Sequence, residues 1–283
     1  MKFLIMGVNG MLGHTVARYL KNRGHEVLGF ARRPSLFVPT VTGDALCKNT
    51  VMNMVRDFDG GHIVNCIGIL NKDAEDKKDE AVYINGFLPH YLAALTEGTC
   101  KRVIQISTDC VFSGEKGGYT NRDVPDGVSF YDRTKAMGEL DDGRNLTLRQ
   151  SIVGPDINPD GIGLLNWFMK QSGEIKGYTG AIWTGQTSLQ LAKTIEIAAE
   201  NGAVGLYNAV PYNSISKYEL LCLFNRYLRD GEVNITPYGG VKCDKSLVNT
   251  PFDFPYTIPD YEEMVYELCN YIKENPKIYP HYR

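Results

Sequence analysis

The sequence predicts a doubly wound α/β fold on a parallel sheet, with a smaller C-terminal lobe for substrate. Three observations carry this expectation. Short β-branched or apolar runs alternate with longer helical patterns through the first half of the chain, the pattern of strands joined by crossover helices. A glycine-rich stretch, Gly7-Val-Asn-Gly10-Met-Leu-Gly13, directly follows the first such run. The rhythm then breaks after Arg149, where residues 151–163 hold two prolines and three glycines, a composition suited to a crossing between domains.

In order, strands are expected at Lys2 to Met6, Glu26 to Phe30, His62 to Cys66, Arg102 to Ser107 and Leu146 to Arg149. Helices fall between them, near Gly10 to Asn22, Leu46 to Asp57, Ala81 to Glu97 and Ser129 to Asp141. The charged run Lys72 to Glu80 reads as a solvated, helix-compatible loop. Later helices are expected at Leu164 to Gln171, Ser188 to Asn201, Lys217 to Arg229 and Tyr261 to Lys273. Ser216 with Glu219, and Asp260 with Glu263, mark two of their starts as N-cap residues with an acid three positions on. Gly205 to Val210 reads as one more buried strand. The division expected is 1–150 for the dinucleotide-binding domain and 151–283 mainly for substrate, with segments near 185–210 returning to the first domain.

At 283 residues and 43% hydrophobic, the chain can bury one large core or a main domain with a companion. Its net charge of −3 is interspersed, which excludes a basic stripe for nucleic acid. No apolar run approaches the ~18 residues needed to cross a bilayer, and the opening Met-Lys-Phe-Leu-Ile-Met reads as a strand, not a signal peptide. Seven scattered cysteines without a Cys-x-x-Cys pair fit a reducing cytoplasm, and the five histidines show no ligand spacing, so no metal is expected.

The glycines after the first strand allow a tight turn and close backbone approach to a pyrophosphate, while the helix they open supplies oriented N–H groups. Gly7, Asn9, Gly10, Met11, Leu12 and Gly13 are therefore candidate dinucleotide contacts. Their spacing is G-x-x-G-x-x-G. At the end of the second strand, where a carboxylate would hold a ribose 2′-hydroxyl, stand Arg32 and Arg33, which favours NADPH, with NADH the alternative. Asp44 lies where a third-strand loop reaches the adenine.

The fourth strand ends in Ser107-Thr108-Asp109-Cys110-Val111-Phe112. Ligands of such sheets bind at the carboxyl ends of the strands, so the Thr108 hydroxyl can meet a substrate carbonyl there. Downstream, Tyr131 precedes Lys135 by four residues, one helical turn on the same face. A free phenol near pKa ~10 donates protons poorly at neutral pH, and a neighbouring cation is one way to improve it. The spacing alone is weak evidence, because Tyr238 and Lys242 repeat it within a Pro-Tyr-Gly-Gly run that is turn chemistry.

Taken together, Gly7 to Gly13, Asn65-Cys66-Ile67-Gly68, Ser107 to Phe112 and Tyr131-x-x-x-Lys135 resemble the extended short-chain dehydrogenases/reductases. Gly114-Glu-Lys-Gly-Gly-Tyr119 and Gly205 to Val210 narrow the resemblance to the dTDP-4-dehydrorhamnose reductase branch. That resemblance implies a Rossmann-type first domain and NADPH-dependent reduction of the 4-keto group of a nucleotide-linked 6-deoxysugar. It implies Thr108, Tyr131 and Lys135 as catalytic residues. Asn65, Cys66, Ile67 and Gly68 would lie along the cofactor, with Tyr131 and Lys135 also touching it, and Asn85 would support the site. The nucleotide-sugar substrate would meet Thr108, Asp109, Cys110, Tyr131 and Trp183, with Trp167 a second candidate to flank the base. Pairing through the helices near 81–97 and 129–141 would make a homodimer, as in many relatives.

Two departures stand out. Cys110 replaces a tyrosine common in the branch, and Gly185-Gln-Thr-Ser188 replaces a Pro-Thr-Tyr-type segment, both expected near the sugar or its nucleotide. Epimerase/reductases of the same superfamily employ a cysteine at a comparable strand end together with a histidine in the substrate domain, yet no histidine lies between His90 and His281. A non-catalytic nucleotide-binding regulatory subunit is the reading from a different class.

Overall fold

A computed structural model describes residues 1–282. Its central sheet has seven parallel strands, and the chain reaches them in the expected alternation. Strand β1 (Lys2–Met6) leads through the glycine loop into helix α1 (Met11–Asn22), followed by β2 (Glu26–Ala31), β3 (Thr40–Thr42), α2 (Lys48–Asp57) and β4 (His62–Asn65). Residues 71–96 then form a helical stack: α3 (Asn71–Asp76), α4 (Lys78–Ala81), a π-helical turn (Val82–Phe87) and α5 (Leu88–Thr96). Next come β5 (Arg102–Ile106), α6 (Phe130–Met137) and β6 (Leu146–Arg149). With a later strand, β10 (Gly205–Asn208), at one edge, the spatial order β10-β6-β5-β4-β1-β2-β3 reverses direction at β1, between β4 and β2, so the switch point lies where β1 delivers the glycine loop.

Beyond Arg149 the chain forms β7 (Ser151–Val153), α7 (Leu164–Met169), β8 (Glu174–Trp183), β9 (Gly185–Thr187) and α8 (Ser188–Glu200). It then returns to the large sheet as β10 (Gly205–Asn208), and continues through β11 (Ile215–Ser216), α9 (Lys217–Leu228), β12 (Asn234–Asp244) and α10 (Tyr261–Glu274). Strands β11, β8 and β12 make a small separate sheet, and β7 pairs with β9. Both expected caps are present: Ser216 Oγ accepts from Glu219 N at 3.1 Å, and Asp260 Oδ1 from Glu263 N at 2.9 Å.

The structure corrects the sequence reading in three places. The run 72–80 is not a loop but most of α3 and α4, and the single helix expected over 81–97 is interrupted by the π turn. The small sheet was not legible at all. Strand β12 contains Pro237 and Gly239-Gly240, and the pairing with β8 shifts register between Tyr238 and Lys242, so the turn-forming residues make a bulge inside a strand. That strand is an edge of its sheet, where a proline without an N–H is tolerated.

The core lies on both faces of the large sheet. One face packs α1, α8 and α10 through Val16, Leu20, Leu191, Ile195 and Leu268, and the other packs α2 and α5 through Val51, Met54, Leu88 and Leu92. Glu196 ties α8 to the start of the chain, accepting from Tyr19 at 2.6 Å and pairing with Arg23 at 3.0 Å and His25 at 2.7 Å. Glu200 joins His25 and Glu196 within metal-ligand range, but Arg23 already neutralises Glu196 there. All seven cysteines are free, and among the described residues no helix is long and apolar enough to cross a membrane.

His14 sits fully buried in α1, with Nδ1 2.8 Å from Gly10 O and Nε2 2.8 Å from Tyr279 Oη. The carbonyl can only accept, so Nδ1 carries the proton and Nε2 accepts from the tyrosine. Burial brings the imidazole down from 6.5 to about 4. The unfolded chain therefore binds a proton more readily than the native one, and stability drops as pH falls from 6.5 toward 4, by up to ~3 kcal/mol for this group. Urea unfolding at pH 7 and pH 4.5 measures this, and His14→Gln, which does not titrate in that window, is expected to shrink the difference.

Candidate active site

The loop after β1 is shaped by its glycines. Gly7 adopts φ +76°, and a Cβ on Gly13 would lie 2.1 Å from Gly7 O, so α1 starts in direct backbone contact with the loop. Gly10 N donates to Gly7 O at 2.9 Å, and Gly7 N to Phe30 O at 2.9 Å. Such a turn leaves room for a bound pyrophosphate at the helix start, a cradle that side chains would fill. We predict that Gly13→Ala weakens binding of a nicotinamide dinucleotide at least about tenfold and destabilises the fold by ~1–3 kcal/mol, because the atom it meets is backbone and cannot rotate away. Fluorescence titration with NADPH and thermal melting check the two effects.

Asn9 Nδ2 donates to Arg33 O at 2.9 Å, tying the glycine loop to the segment that carries the two arginines. Arg32 and Arg33 are both exposed beside the loop. Asp44 is exposed after β3, where its carboxylate accepts from Leu46 N at 2.9 Å and caps a local turn. On the other flank, Cys66 and Ile67 press against the loop: a Cβ on Gly7 would meet Ile67 Cγ1 at 3.0 Å and Cys66 C at 3.3 Å. Burial pushes the Cys66 thiol up to about 12, so it stays neutral. Met11 and Leu12 open α1, with Leu12 buried.

Asn85 holds this side of the site in place. From the π turn its Oδ1 accepts from Ile69 N and its Nδ2 donates to Ile69 O, both at 2.9 Å, and Nδ2 also reaches Thr134 Oγ1 at 3.1 Å. One side chain thus joins the loop that carries Gly68 to α6. Gly138 is needed for the approach, since a Cβ there would lie 1.9 Å from Asn85 O. A π turn at such a junction follows the tendency of these turns to sit at functional sites.

Helix α6 begins with a full capping box, Ser129 with Asp132, which sets Tyr131 and Lys135 on one buried face. Thr108 caps the short 3₁₀ turn after β5, accepting from Cys110 N at 3.2 Å and donating to Asp109 Oδ1 at 3.1 Å. The structure therefore brings Thr108, Asp109, Cys110, Tyr131 and Lys135 together at the carboxyl end of the large sheet. Its electrostatics differ from the expectation in one respect. Burial, then Cys110, raise the Tyr131 phenol above its usual range, with the Thr108 hydroxyl opposing, and Lys135 is not among the principal influences. Tyr131 lies among Ala74, Ala81, Ile69 and Phe130, and Lys135 instead donates to Ile106 O at 2.8 Å. Burial lowers the ammonium to about 8, with Glu139 opposing.

Cys110 is pushed up to about 12, chiefly by burial and then by Asp109, which leaves a thiol and not a thiolate. His90, the last histidine before His281, bonds to Met137 O at 2.7 Å on the outer side of α6. Trp183 is buried against Tyr261, ring centroids 5.7 Å apart. Trp167 is half-exposed on α7. Gln186, Thr187 and Ser188 are interior: Gln186 Nε2 donates to Ala209 O at 2.9 Å and Thr187 caps α8. The segment expected near the sugar is thus structural in its side chains.

Two residues to which the sequence reading gave no site role underlie the site. Arg149, at the end of β6, pairs with Glu139 at 2.6 Å and lies with its guanidinium 4.9 Å from the Phe112 ring. Glu139 also accepts from Ser107 Oγ at 2.6 Å. An arginine ending an otherwise apolar strand, Leu-Thr-Leu-Arg, was the available signal, because a charge carried into a sheet end needs a partner.

The family described as the RmlD substrate binding domain matches residues 1–148. The chain belongs to that family. It is an extended short-chain dehydrogenase/reductase by sequence and a Rossmann-like protein by structure. Over 139 residues it is 32% identical to a probable low-salt glycan biosynthesis reductase, Agl14, of Haloferax volcanii, a match covering 48% of this chain and 46% of that one. Over 141 residues it is 31% identical to methionine adenosyltransferase 2 subunit beta of Bos taurus, covering 49% and 41%. The chain thus spans less than half the length of these curated relatives. A dTDP-4-dehydrorhamnose reductase from Bacillus anthracis, solved in complex with NADP, superposes with a TM-score of 0.78 at 20% identity, covering 96% of this chain and 99% of that one.

Proposed function

We propose that the protein reduces the 4-keto group of a nucleotide-linked 6-deoxysugar with NADPH, in the making of a cell-surface polysaccharide. The observation that carries this reading is the convergence of Thr108, Tyr131 and Lys135 on one sheet end beside the glycine loop. Gly7 to Gly13 would hold the pyrophosphate, Cys66 to Gly68 would flank the cofactor, and exposed Arg32 and Arg33 would meet a 2′-phosphate. When bound, NADPH supplies the hydride that adds to the sugar carbonyl carbon. Thr108 orients the carbonyl oxygen, and Tyr131, kept protonated by burial, gives that oxygen its proton as charge develops there. Lys135 keeps positive charge beneath the site below about pH 8.

Oxidation of NADPH, followed by its absorbance with a panel of nucleotide 4-keto-6-deoxysugars, tests the reading. Turnover of at least one member supports it, and inactivity across the panel sinks it. The regulatory-subunit reading is favoured by one specific observation, the similarity to methionine adenosyltransferase 2 subunit beta, and predicts cofactor binding without turnover in the same assay. Neutral Cys110, with no histidine beside it, speaks against accompanying epimerisation. The free cysteines support a reducing, cytoplasmic setting. For assembly, we infer a homodimer through the π turn, α5 and α6, where exposed Phe87 stacks on Tyr91 at 5.4 Å and Met137 is also exposed. Sedimentation of Phe87→Glu as a monomer, against a wild-type dimer, is the expected result.

A further inference from the structure

One buried titratable group at the site has no part in the chemistry above. Asp109, 5% exposed, follows Thr108 at the carboxyl end of β5, and its Oδ1 lies 3.1 Å from Thr108 Oγ1. Its side-chain partners are two hydroxyls, those of Thr108 and of Ser151 at the start of β7. Among the described residues it makes no ion pair; Lys245, which acts on it from a distance, has its Nζ 3.8 Å from Asp132 Oδ2. Burial holds the Asp109 carboxyl above its ordinary range, and the two hydroxyls, then Lys245 and the half-buried Lys217 of α9, oppose that rise without reversing it. The other titratable groups facing it are Cys110 on the same turn and Tyr131 on α6, a thiol and a phenol that burial keeps neutral.

The valence of a hydroxyl makes this environment matter. Thr108 Oγ1 has one proton to give and two lone pairs to fill. One lone pair takes the Cys110 N–H at 3.2 Å. An ionised Asp109 can only accept, so the 3.1 Å contact then takes the Thr108 proton and leaves a lone pair free. A lone pair repels a carbonyl oxygen, and it competes for the proton of Tyr131, whose phenol the same hydroxyl reaches. A protonated Asp109 donates to Thr108 across the same contact. Both lone pairs are then filled, and the proton is what Thr108 has left to offer a substrate oxygen.

We propose that Asp109 is a positioning residue acting through Thr108: protonated, it frees the hydroxyl proton for the substrate carbonyl, and ionised, it takes that proton. The proposal rests on the reading that Thr108 orients a carbonyl for reduction. Its sign is fixed. Reduction runs on the neutral acid and weakens as pH rises through the titration of Asp109, separately from the fall through about 8 set by Lys135.

Infrared difference spectroscopy of the protein without ligands reads the acid directly. At pH 6, where ordinary carboxyls are ionised, wild type is expected to show the C=O stretch of a protonated carboxylic acid. Asp109→Asn should abolish that band, and Thr108→Val should shift it, since valine offers no acceptor. In kinetics with a nucleotide 4-keto-6-deoxysugar, Asp109→Asn should remove one ionisation from the pH profile of kcat/KM and leave the fall near 8 in place. Asp109→Leu, which cannot donate to Thr108, should lower kcat/KM at pH 6 by roughly tenfold to a hundredfold relative to Asp109→Asn, with NADPH affinity unchanged. No Asp109-dependent acid band at pH 6, a band that Thr108→Val leaves unmoved, or an Asp109→Asn profile that matches wild type overturns the proposal. If Asp109→Leu does not fold, the isosteric asparagine variant decides through its spectrum and profile. A protein that shows the band and its response to Thr108→Val yet reduces no 4-keto sugar would instead sink the reductase reading and leave the coupling of Asp109 to Thr108 standing.

Discussion

Tyr131→Phe is expected to lower kcat by roughly 10²–10⁴, the range typical of losing a positioned general acid, while NADPH affinity stays near wild type. The reasoning is geometric. Tyr131 is nearly buried on the inner face of α6, beside the Thr108 hydroxyl, and burial holds its proton in place at neutral pH. Phenylalanine fills the same space, so the loss isolates the proton. Full activity in the variant would remove Tyr131 from the mechanism. The accompanying pH profile has a defined sign: Lys135 is lowered to about 8, so kcat is expected to fall as pH rises through 8 and the site loses that charge. Stability from the same group moves the other way. The unfolded lysine holds its proton to 10.5, and this contribution therefore rises between pH 8 and 10.5.

Arg149→Met is expected to cost ~3–5 kcal/mol of stability, because it leaves Glu139 as a buried charge without its partner. Both side chains are almost inaccessible, at 2% and 8%, and the guanidinium makes two further contacts, to Glu139 Oε1 at 2.8 Å and Asn208 Oδ1 at 3.4 Å. A melting temperature lower by ~10 °C is the expected reading. Pairing Arg149→Met with Glu139→Leu should recover much of that loss, since an apolar pair of similar volume needs no counter-charge. If the double variant melts no higher than the single one, the cost lies in packing against Phe112 and not in the orphaned carboxylate.

The features legible in the sequence were those written in short stretches. Gly7 to Gly13 announce a strand-to-helix turn because the residues that need left-handed or crowded backbone are adjacent to the strand that requires them. Tyr131 and Lys135 share a helical face because Ser129 and Asp132, in the same dozen residues, start that helix. The false copy at Tyr238 and Lys242 could be set aside on the same local grounds, although its Gly-Gly proved to be a bulge in β12 and not a chain-reversing turn. Trp183 illustrates the opposite case. Nothing near it in sequence reports Tyr261, which covers its ring, so its burial was not readable.

By itself, then, the sequence determined the parallel α/β architecture, the glycine turn after β1 and the placement of Thr108, Tyr131 and Lys135, each encoded by period, spacing or cap within one or two elements. Only the tertiary structure decided how those groups are charged and what supports them. It drew the Lys135 ammonium to the Ile106 carbonyl, paired Arg149 with Glu139, fastened Ile69 to α6 through Asn85, and brought Lys245 Nζ to 3.8 Å from Asp132 Oδ2. The physical reason is that pKa values and ion pairs depend on burial and on neighbours within a few ångströms, and those neighbours come from segments far apart along the chain.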